Sequence, residues 1–410
     1  MISPLDDITV IEIDSWMAAP SSGVILADLG ARVIKIEPLS GDPMRDMGRP
    51  AKKGEGRIDY DFQFDVDNRG KQSLQLDLAS PAGVEIVHRL CVDAHVFLCN
   101  LLPQRQQKFS LDSTSLFQTN PGLVHATLTG YGTSGPDAWR PGYDVTAFFG
   151  RSGLYDAMRE GDDGIVPMAR TAQGDHTTGL AFTTAILAAL RMVERTGEGQ
   201  VVETSLLETA VWTQASDFAV TAVDKAPVRH RARHQQFAPT VNRYPCGDQN
   251  WIVFNMPEES YWPKFCQALG KQEWISDERY LTPSLRFRAM TELVPAVDAI
   301  LSTRSRDEWG KIFDEAGLIW GPVLGLHEVA DDAQADAIGL FPSLRDETIG
   351  EYRTVRIPMR FANATVVPGG RSPKAGEHTR KILQEAGYSK SEIDLLHESG
   401  IVATGVHIQE

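Results

Sequence analysis

Two short apolar stretches with a helical stretch between them constrain this chain more than any other feature. Thr9 to Ile13 (TVIEI) and Arg32 to Glu37 (RVIKIE) have the length and β-branched content of strands. Ser21-Ser22-Gly23 opens a helix that runs through Leu29, and Gly30 closes it. A strand, a helix and a strand in that order make two parallel neighbours, because a tight turn cannot join parallel strands. The pattern then repeats. Ser73 to Leu78 (SLQLDL) reads as a strand, and Ser80-Pro81 starts a helix with proline well placed at its first position. Ala94 to Leu98 (AHVFL) and Leu123 to Leu128 (LVHATL) read as further strands. Alternation to about residue 215 predicts a doubly wound, Rossmann-like α/β domain. Ligands of such sheets bind at the carboxyl ends of strands, so the loops after Ile13, Leu98 and Leu128 are the places to look.

Glu37 ends the second strand where dinucleotide folds carry a ribose-binding acid. However, the turn after the first strand, Asp14 to Pro20 (DSWMAAP), has no GxGxxG, so no nicotinamide or flavin cofactor is expected. Gly41 to Asp67 is polar and reads as a long surface loop. Near Val223 to Gln236 the character changes, with Lys225, Arg229, His230, Arg231, Arg233 and His234 close together, either a phosphate site or a solvated linker. Tyr244 to Asn250 (YPCGDQN) before Trp251 to Phe254 (WIVF) reads as the turn of a hairpin. The organisation expected is a large domain begun by residues 1–220, a smaller α+β domain at 225–330, and a return segment at 335–410 that completes the large domain with a helix containing Ile382, Leu383 and Ala386.

A net charge of -15 argues against a nucleic-acid partner but leaves small phosphates open, since local patches decide those. Cys91, Cys99, Cys246 and Cys266 are scattered and form no CxxC pair, which fits no metal and a reducing cytosol. The start, MISPLDDITV, lacks the blocks of a signal peptide. The most apolar run, Gly179 to Val193 (GLAFTTAILAALRMV), is short for a membrane span and carries Thr183, Thr184 and Arg191. A cytoplasmic protein without a membrane partner is expected.

That apolar run should be a buried helix, and Gln173-Gly174-Asp175-His176-Thr177-Thr178 leads into it. Asp175 then lies at or just before the first turn, where free N–H groups and the positive end of the helix dipole favour an anion. Two readings stand side by side: a structural helix cap, or a carboxylate kept ionised as a nucleophile. His176 invites a reading as a base, but sequence neighbours on a helix point apart.

Several segments together resemble the class III CoA-transferases, the family of formyl-CoA transferase and carnitine CoA-transferase. They are VIEIDSWMAAPSSGVILADLGARVIKIEP near the start, then Gly41-Asp42-Pro43 with Arg45, NRGKQSLQLDLASPAG (Asn68 to Gly83), GYGTSGPDAWRPGYDVTA (Gly130 to Ala147), GDHTTGLAFTTAILAALRMVERTGEGQVVETSLLE (Gly174 to Glu208) and Pro373 to Thr379. Their order and spacing carry the resemblance more than any one of them. It implies an interlocked homodimer of the two-domain α/β fold, acyl-CoA and a free carboxylic acid as substrates, CoA thioester rather than a permanently bound cofactor, and Asp175 as the catalytic nucleophile. In that chemistry the carboxylate attacks the thioester to give a mixed anhydride. CoA thiolate returns to form an aspartyl-CoA thioester, and the acceptor acid reverses the steps.

CoA contacts implied by the resemblance fall on Met17 and Ala18, on Leu76, Asp77, Leu78 and Ala79, on Asn100, Leu101 and Leu102, on Lys108, and on Tyr143 and Asp144 beside Pro141 and Gly142, with Arg140 within reach of a phosphate. Met17 stands where the family often has glutamine or histidine, Leu101 where it has an aromatic, and Lys108 where arginine offers a bidentate fork. Each has a plainer reading: Leu76 and Leu78 as core, Asn100 as a turn residue, Lys108 and Arg140 as surface charges, Tyr143 as packing. The glycine-rich lid loop of formyl-CoA transferase relatives has no counterpart near Phe237-Ala238-Pro239-Thr240, which points to another lid and another acid. A 2-methylacyl-CoA racemase on the same fold is the alternative, but it uses His-Asp where this chain has Tyr143-Asp144. A non-catalytic CoA-binding protein is the third possibility.

Overall fold

The alternation of strands and helices resolves into one sheet. In the computed structural model, which describes residues 2–47, 51–53, 56–58 and 60–405, six parallel strands are β1 (Thr9–Ile13), β2 (Arg32–Glu37), β3 (Gln72–Leu76), β4 (Val96–Cys99), β5 (Val124–Thr129) and β6 (Gln200–Ser205). Their order is β3-β2-β1-β4-β5-β6, and the two-residue strand Val402–Ala403 runs antiparallel on the outer side of β3. The order reverses between β1 and β4, which is where a doubly wound sheet opens a crevice at its carboxyl edge. β1, β2, β4 and β5 are almost wholly buried, as expected of parallel strands covered on both faces.

Helix α1 (Ala18–Asp28) begins before the expected Ser21, because Met17 O already accepts the Ser21 N–H at 2.9 Å and proline is tolerated in a first turn. Gly30, at φ +106°, ends it. β3 stops at Leu76 rather than Leu78, since Asp77 turns the chain by accepting the Ala79 N–H at 2.9 Å. The Gly41 to Asp67 stretch is not only a surface loop. It holds α2 (Phe62–Asn68), capped by Asp61, which accepts from the N–H groups of Gln63 and Phe64 at 3.1 and 2.9 Å. Phe64, Asp65, Asp67 and Asn68 are buried there, so the polar composition hid groups that have partners inside the protein. α3 (Pro81–Cys91) starts with its proline as expected. α4 (Gln173–Thr196) is buried on one face only: Phe182, Thr183, Ile186 and Leu190 point inward, while Thr184, Ala188 and Met192 are exposed. It crosses α1 closely at Gly179, where a Cβ would sit 2.0 Å from Ser21 Oγ.

Beneath α1 lies a cluster of ions with no access to water. Glu12 and Lys35 are register partners on β1 and β2, and both side chains are fully buried. Lys35 Nζ reaches Asp14 Oδ1 at 2.7 Å, Asp42 Oδ2 at 3.1 Å and Glu12 Oε1 at 3.4 Å. Lys71 Nζ meets Glu12 Oε1 at 2.7 Å and also donates to Pro20 O and Asn68 Oδ1. Gly23 is what admits this cluster, since a Cβ there would lie 1.8 Å from Glu12 Oε2. Burial alone pulls the Lys35 pKa down, but the carboxylates of Asp14, Asp42, Glu12 and Glu37 outweigh it and hold the ammonium charged. Glu37 is engaged within the protein. Its carboxylate pairs with Arg45 through two bonds of 2.7 Å and accepts the Ser73 hydroxyl.

The chain packs as two compact units. The sheet belongs to the first, which contains Met1–Leu154, Met168–Asp224 and Gly339–Glu410, while Tyr155–Pro167 and Lys225–Ile338 form the second. In the second unit β7 (Val241–Pro245), β8 (Trp251–Asn255) and β9 (Trp320–Val323) make an antiparallel sheet in the order β9-β8-β7, with the expected hairpin turn between β7 and β8. Its core gathers Phe254, Phe265 and Phe313 edge to face. The basic stretch is largely engaged internally: Arg233 forks onto Asp298, Arg231 lies over the Phe237 ring, and His230 bridges Asp156 and Asp162 at 3.0 and 3.2 Å. That bridge also explains why Tyr155–Pro167 packs with this unit.

Replacing Lys35 by methionine leaves three buried carboxylates without their shared cation. The expected loss is about 3–5 kcal/mol of unfolding free energy, read as a lower urea midpoint; a loss under about 1 kcal/mol would mean the carboxylates are held by other means.

Candidate active site

Helix α4 begins in an unusual way. Its N-cap is Ala172, in the left-handed region at φ +80°, and no side chain of its own first turn caps it. The cap comes from elsewhere: Asp144 Oδ1 accepts the Gly174 N–H at 3.1 Å. Position 174 must be glycine, because a Cβ would fall 2.3 Å from both Asp144 Oδ1 and Phe148 Cγ. Asp144 opens a π-helical segment, Asp144–Arg151, a wider turn that recurs at functional sites. Asp175 is thus the third residue of the helix, not its cap, and among the described residues no group donates a hydrogen bond to its partly exposed carboxylate.

Three acids crowd this helix end. Burial pushes the Asp175 pKa up to about 7, and the Asp144 charge adds to it, while His176 pulls the other way. Asp144 is itself raised, chiefly by burial, and its Oδ2 is buried with no partner among the described residues. His176 Nε2 meets Asp67 Oδ1 of α2 at 2.9 Å. Burial would lower the imidazole pKa, but Asp67 outweighs it and favours the imidazolium. Asp175 is therefore a carboxylate poised to change charge near neutrality, beside one acid and one cation.

Asp175 lines a cavity of about 410 Å³ at the reversal point of the sheet. Ser15, Trp16 and Ala18 follow β1, Asn100, Leu101, Leu102 and Arg105 follow β4, and Leu128, Thr129 and Gly130 end β5. Pro141, Gly142, Tyr143 and Leu206, the first residue of α5 (Leu206–Thr213), complete it. The loops after Ile13, Leu98 and Leu128 thus meet in one place. Asn100 Nδ2 ties two of them together by donating to Ser15 O at 2.8 Å. Gly130 and Gly142 let the third fold back on itself, since a Cβ on Gly130 would come within 2.5 Å of Gly142 Cα.

The expected site residues separate into groups. Asp175, Ala18, Asn100, Leu101, Leu102 and Tyr143 line this cavity, and Asp144 stands at the helix end beside Asp175. Met17 is the N-cap of α1 and is not in the lining. Leu76, Asp77, Leu78 and Ala79 lie at the end of β3, two strands from β1, where Leu76 is 1% exposed in the hydrophobic core and Leu78 packs against it. Lys108 is exposed beside the Phe109 ring, and Arg140 is exposed over the Tyr131 ring; neither lines the cavity. Arg105 does, one turn before Lys108 on the helix Pro103–Lys108. Arg105 carried no signal of its own in sequence, whereas Trp16, Pro141, Gly142 and Leu206 sit inside the segments that carry the family resemblance. Among the described residues no His, Cys, Asp or Glu group could hold a metal ion, and no helix is long and apolar enough to cross a membrane.

The chain is similar to known proteins over nearly its whole length. Residues 5–379 match CoA-transferase family III. The chain is 31% identical over 401 residues to (R)-2-hydroxy-4-methylpentanoate CoA-transferase of Clostridioides difficile, covering 97% of this chain and 99% of that one. It is 31% identical over 402 residues to cinnamoyl-CoA:phenyllactate CoA-transferase of Clostridium sporogenes, covering 95% of each. A CAIB/BAIF family protein from Brucella suis superposes with a TM-score of 0.83 at 29% identity, over 94% of this chain and all of that one.

A partly desolvated Asp175 costs stability when ionised. Its folded pKa of about 7 lies above the ordinary 3.8, so folding loses stability as pH rises through that window. Asp175→Asn should raise unfolding free energy at pH 8 by about 1–3 kcal/mol, allowing for screening of a group that solvent reaches. The gain should shrink as pH falls from 8 towards 4 in paired urea titrations. A gain independent of pH would assign it to something other than the charge.

Proposed function

As the chain belongs to CoA-transferase family III, we propose that it moves CoA from an acyl-CoA to a free carboxylic acid with Asp175 as the transient acyl carrier. One observation carries this reading: Asp175 is the ionisable group that lies both in the crevice and in the first turn of α4, where N–H groups and the helix dipole stabilise negative charge. The Asp175 carboxylate attacks the thioester carbonyl, the C–S bond breaks, and CoA leaves as thiolate, giving a mixed anhydride. The thiolate then attacks the aspartyl carbonyl, the donor acid departs as carboxylate, and an aspartyl-CoA thioester remains. The acceptor carboxylate displaces CoA from it, and CoA thiolate attacks the acceptor acyl carbon of the new anhydride, which restores Asp175. No proton is needed in any step, so the exchange is balanced without an outside base.

Asn100, Leu101, Leu102 and Arg105 along one side of the cavity, with Pro141 to Tyr143 on another, support a CoA site there; Arg105 supplies the cation that a phosphate would seek. The residue beside Asp144 is Tyr143, and a phenol is a poor base at neutral pH, which favours transfer over α-proton abstraction. The working unit is a homodimer of interlocked chains. Its support is the apolar surface left open on Met192, Val211, Trp212, Val220 and Val223 of neighbouring helices, with Trp212 78% exposed. The four cysteines are free and buried, in keeping with a reducing cytoplasm.

Incubation with acyl-CoA donors and a panel of acids should give new acyl-CoA and a hydroxylamine-sensitive adduct on Asp175. The Asp175→Asn variant should lose at least about 10³-fold in exchange. Exchange at the parent rate in that variant, or α-proton exchange in deuterated water without CoA exchange, would overturn the proposal.

The pH profile gives a second check. Only ionised Asp175 attacks, so kcat/KM should fall about tenfold per unit below about pH 7. Asp144→Asn keeps an oxygen for the Gly174 N–H but removes the neighbouring charge, so the midpoint should move to lower pH. A midpoint unmoved by that change would assign the titration to another group.

A further inference from the structure

The residue at the mouth of β1 is held against its own preference. Trp16 has φ +70°, a left-handed conformation that a bulky side chain avoids, and such outliers persist only where the surroundings impose them. The surroundings here are specific. The Trp16 N–H donates to Asp42 Oδ1 at 3.3 Å; the same oxygen accepts from Met44 N–H at 2.9 Å, and Asp42 Oδ2 pairs with buried Lys35 at 3.1 Å. Asp14, two residues before Trp16, pairs with the same ammonium at 2.7 Å. The step from Asp14 to Trp16 is thus anchored to one lysine from two directions. The anchored indole meets the Tyr143 ring edge to face, with centroids 5.7 Å apart and planes at 88°. Both residues line the cavity that holds Asp175, together with Leu101, Leu102, Leu128 and Leu206.

We propose that Trp16, braced by Asp42 and set against Tyr143, selects the acyl group presented to Asp175, and that the preferred groups are branched or aromatic acyl chains rather than small or charged ones. The proposal rests on transfer through Asp175. With Arg105 taken up by a CoA phosphate, the two aromatic rings and four leucines reward apolar area and offer a charged acyl tail no compensation for lost water. A wall made by a strained, doubly anchored residue is also rigid, and selection among acyl chains by size depends on a wall that does not yield.

The test compares kcat/KM for 3-methylbutanoyl-CoA and 3-phenylpropanoyl-CoA with that for acetyl-CoA and succinyl-CoA, in the parent, Trp16→Gly and Trp16→Phe. Glycine adopts φ +70° freely, so this variant removes the ring without straining the loop. The readout is the ratio of apolar to small or charged donors, which a general loss of rate or stability does not move. The parent should favour the apolar donors, Trp16→Gly should lower the ratio at least about tenfold, and Trp16→Phe should restore it to within about threefold. A ratio unchanged in Trp16→Gly, or a parent that prefers succinyl-CoA, overturns the proposal while leaving the transferase reading intact. A parent that exchanges CoA with none of the donors overturns both.

Discussion

A lysine sealed from water organises the crevice end of this protein. Lys35 projects from the middle of the parallel sheet into a space that α1 can cover only because residue 23 is glycine. An ammonium there is tolerable only when carboxylates surround it, and those carboxylates come from places the sheet would otherwise leave loose: Asp14 at the end of β1 and Asp42 in the loop after β2. Each also shapes the loop that bears it. Asp42 accepts from Met44 and Trp16, and Asp14 opens the turn into α1. A surface ion pair would contribute little, but removing one partner here strands the others in a dry interior, so the geometry at the crevice is fixed by the cost of every alternative.

The helix end that carries Asp175 obeys a related logic at higher cost. A helix N-terminus attracts anions, and this one has two: Asp144, which takes the Gly174 N–H, and Asp175, which takes none. Burial raises both carboxyls, the Asp144 charge adds to it at Asp175, and His176, kept cationic by Asp67, offsets part of that. The arrangement gives up stability to keep one carboxylate unbonded and available. A carboxylate wrapped in hydrogen bonds would be more comfortable and a weaker nucleophile.

Much of this is legible from residues alone, for reasons that can be named. β1 and β2 read correctly because β-branched runs end at glycine or at a turn, and their carboxyl ends already point to the crevice. What sequence could not reveal depended on distance along the chain. Asp175 looks like a helix cap until Asp144, thirty residues before Gly174, is seen to occupy that role. α2 was hidden because Asp65 and Asp67 read as solvent-facing, whereas the hydroxyls of Tyr60 and Tyr352 hold both oxygens of Asp65 and the His176 ring meets one oxygen of Asp67 inside. Arg105 and Lys108 are both cations on one short helix, and only the direction of each side chain separates them. The end of β3 reads as a binding segment by resemblance and as core by hydropathy; the structure buries Leu76 and keeps the whole segment apart from the cavity around Asp175.

The two-residue strand Val402–Ala403 carries a consequence for how this molecule is made. It pairs with β3, and Thr379 Oγ1 donates to Ala403 O to pin it, so the outer edge of β3 stays open until residues 402–403 have been synthesised. The second unit, drawn almost entirely from one continuous stretch, can finish first. The large sheet meanwhile waits with an unpaired ladder, an invitation to the wrong strand in a crowded cell. Such a nascent chain is one for which chaperones exist, and its yield on expression should depend on how quickly the ribosome passes from β3 to Ala403.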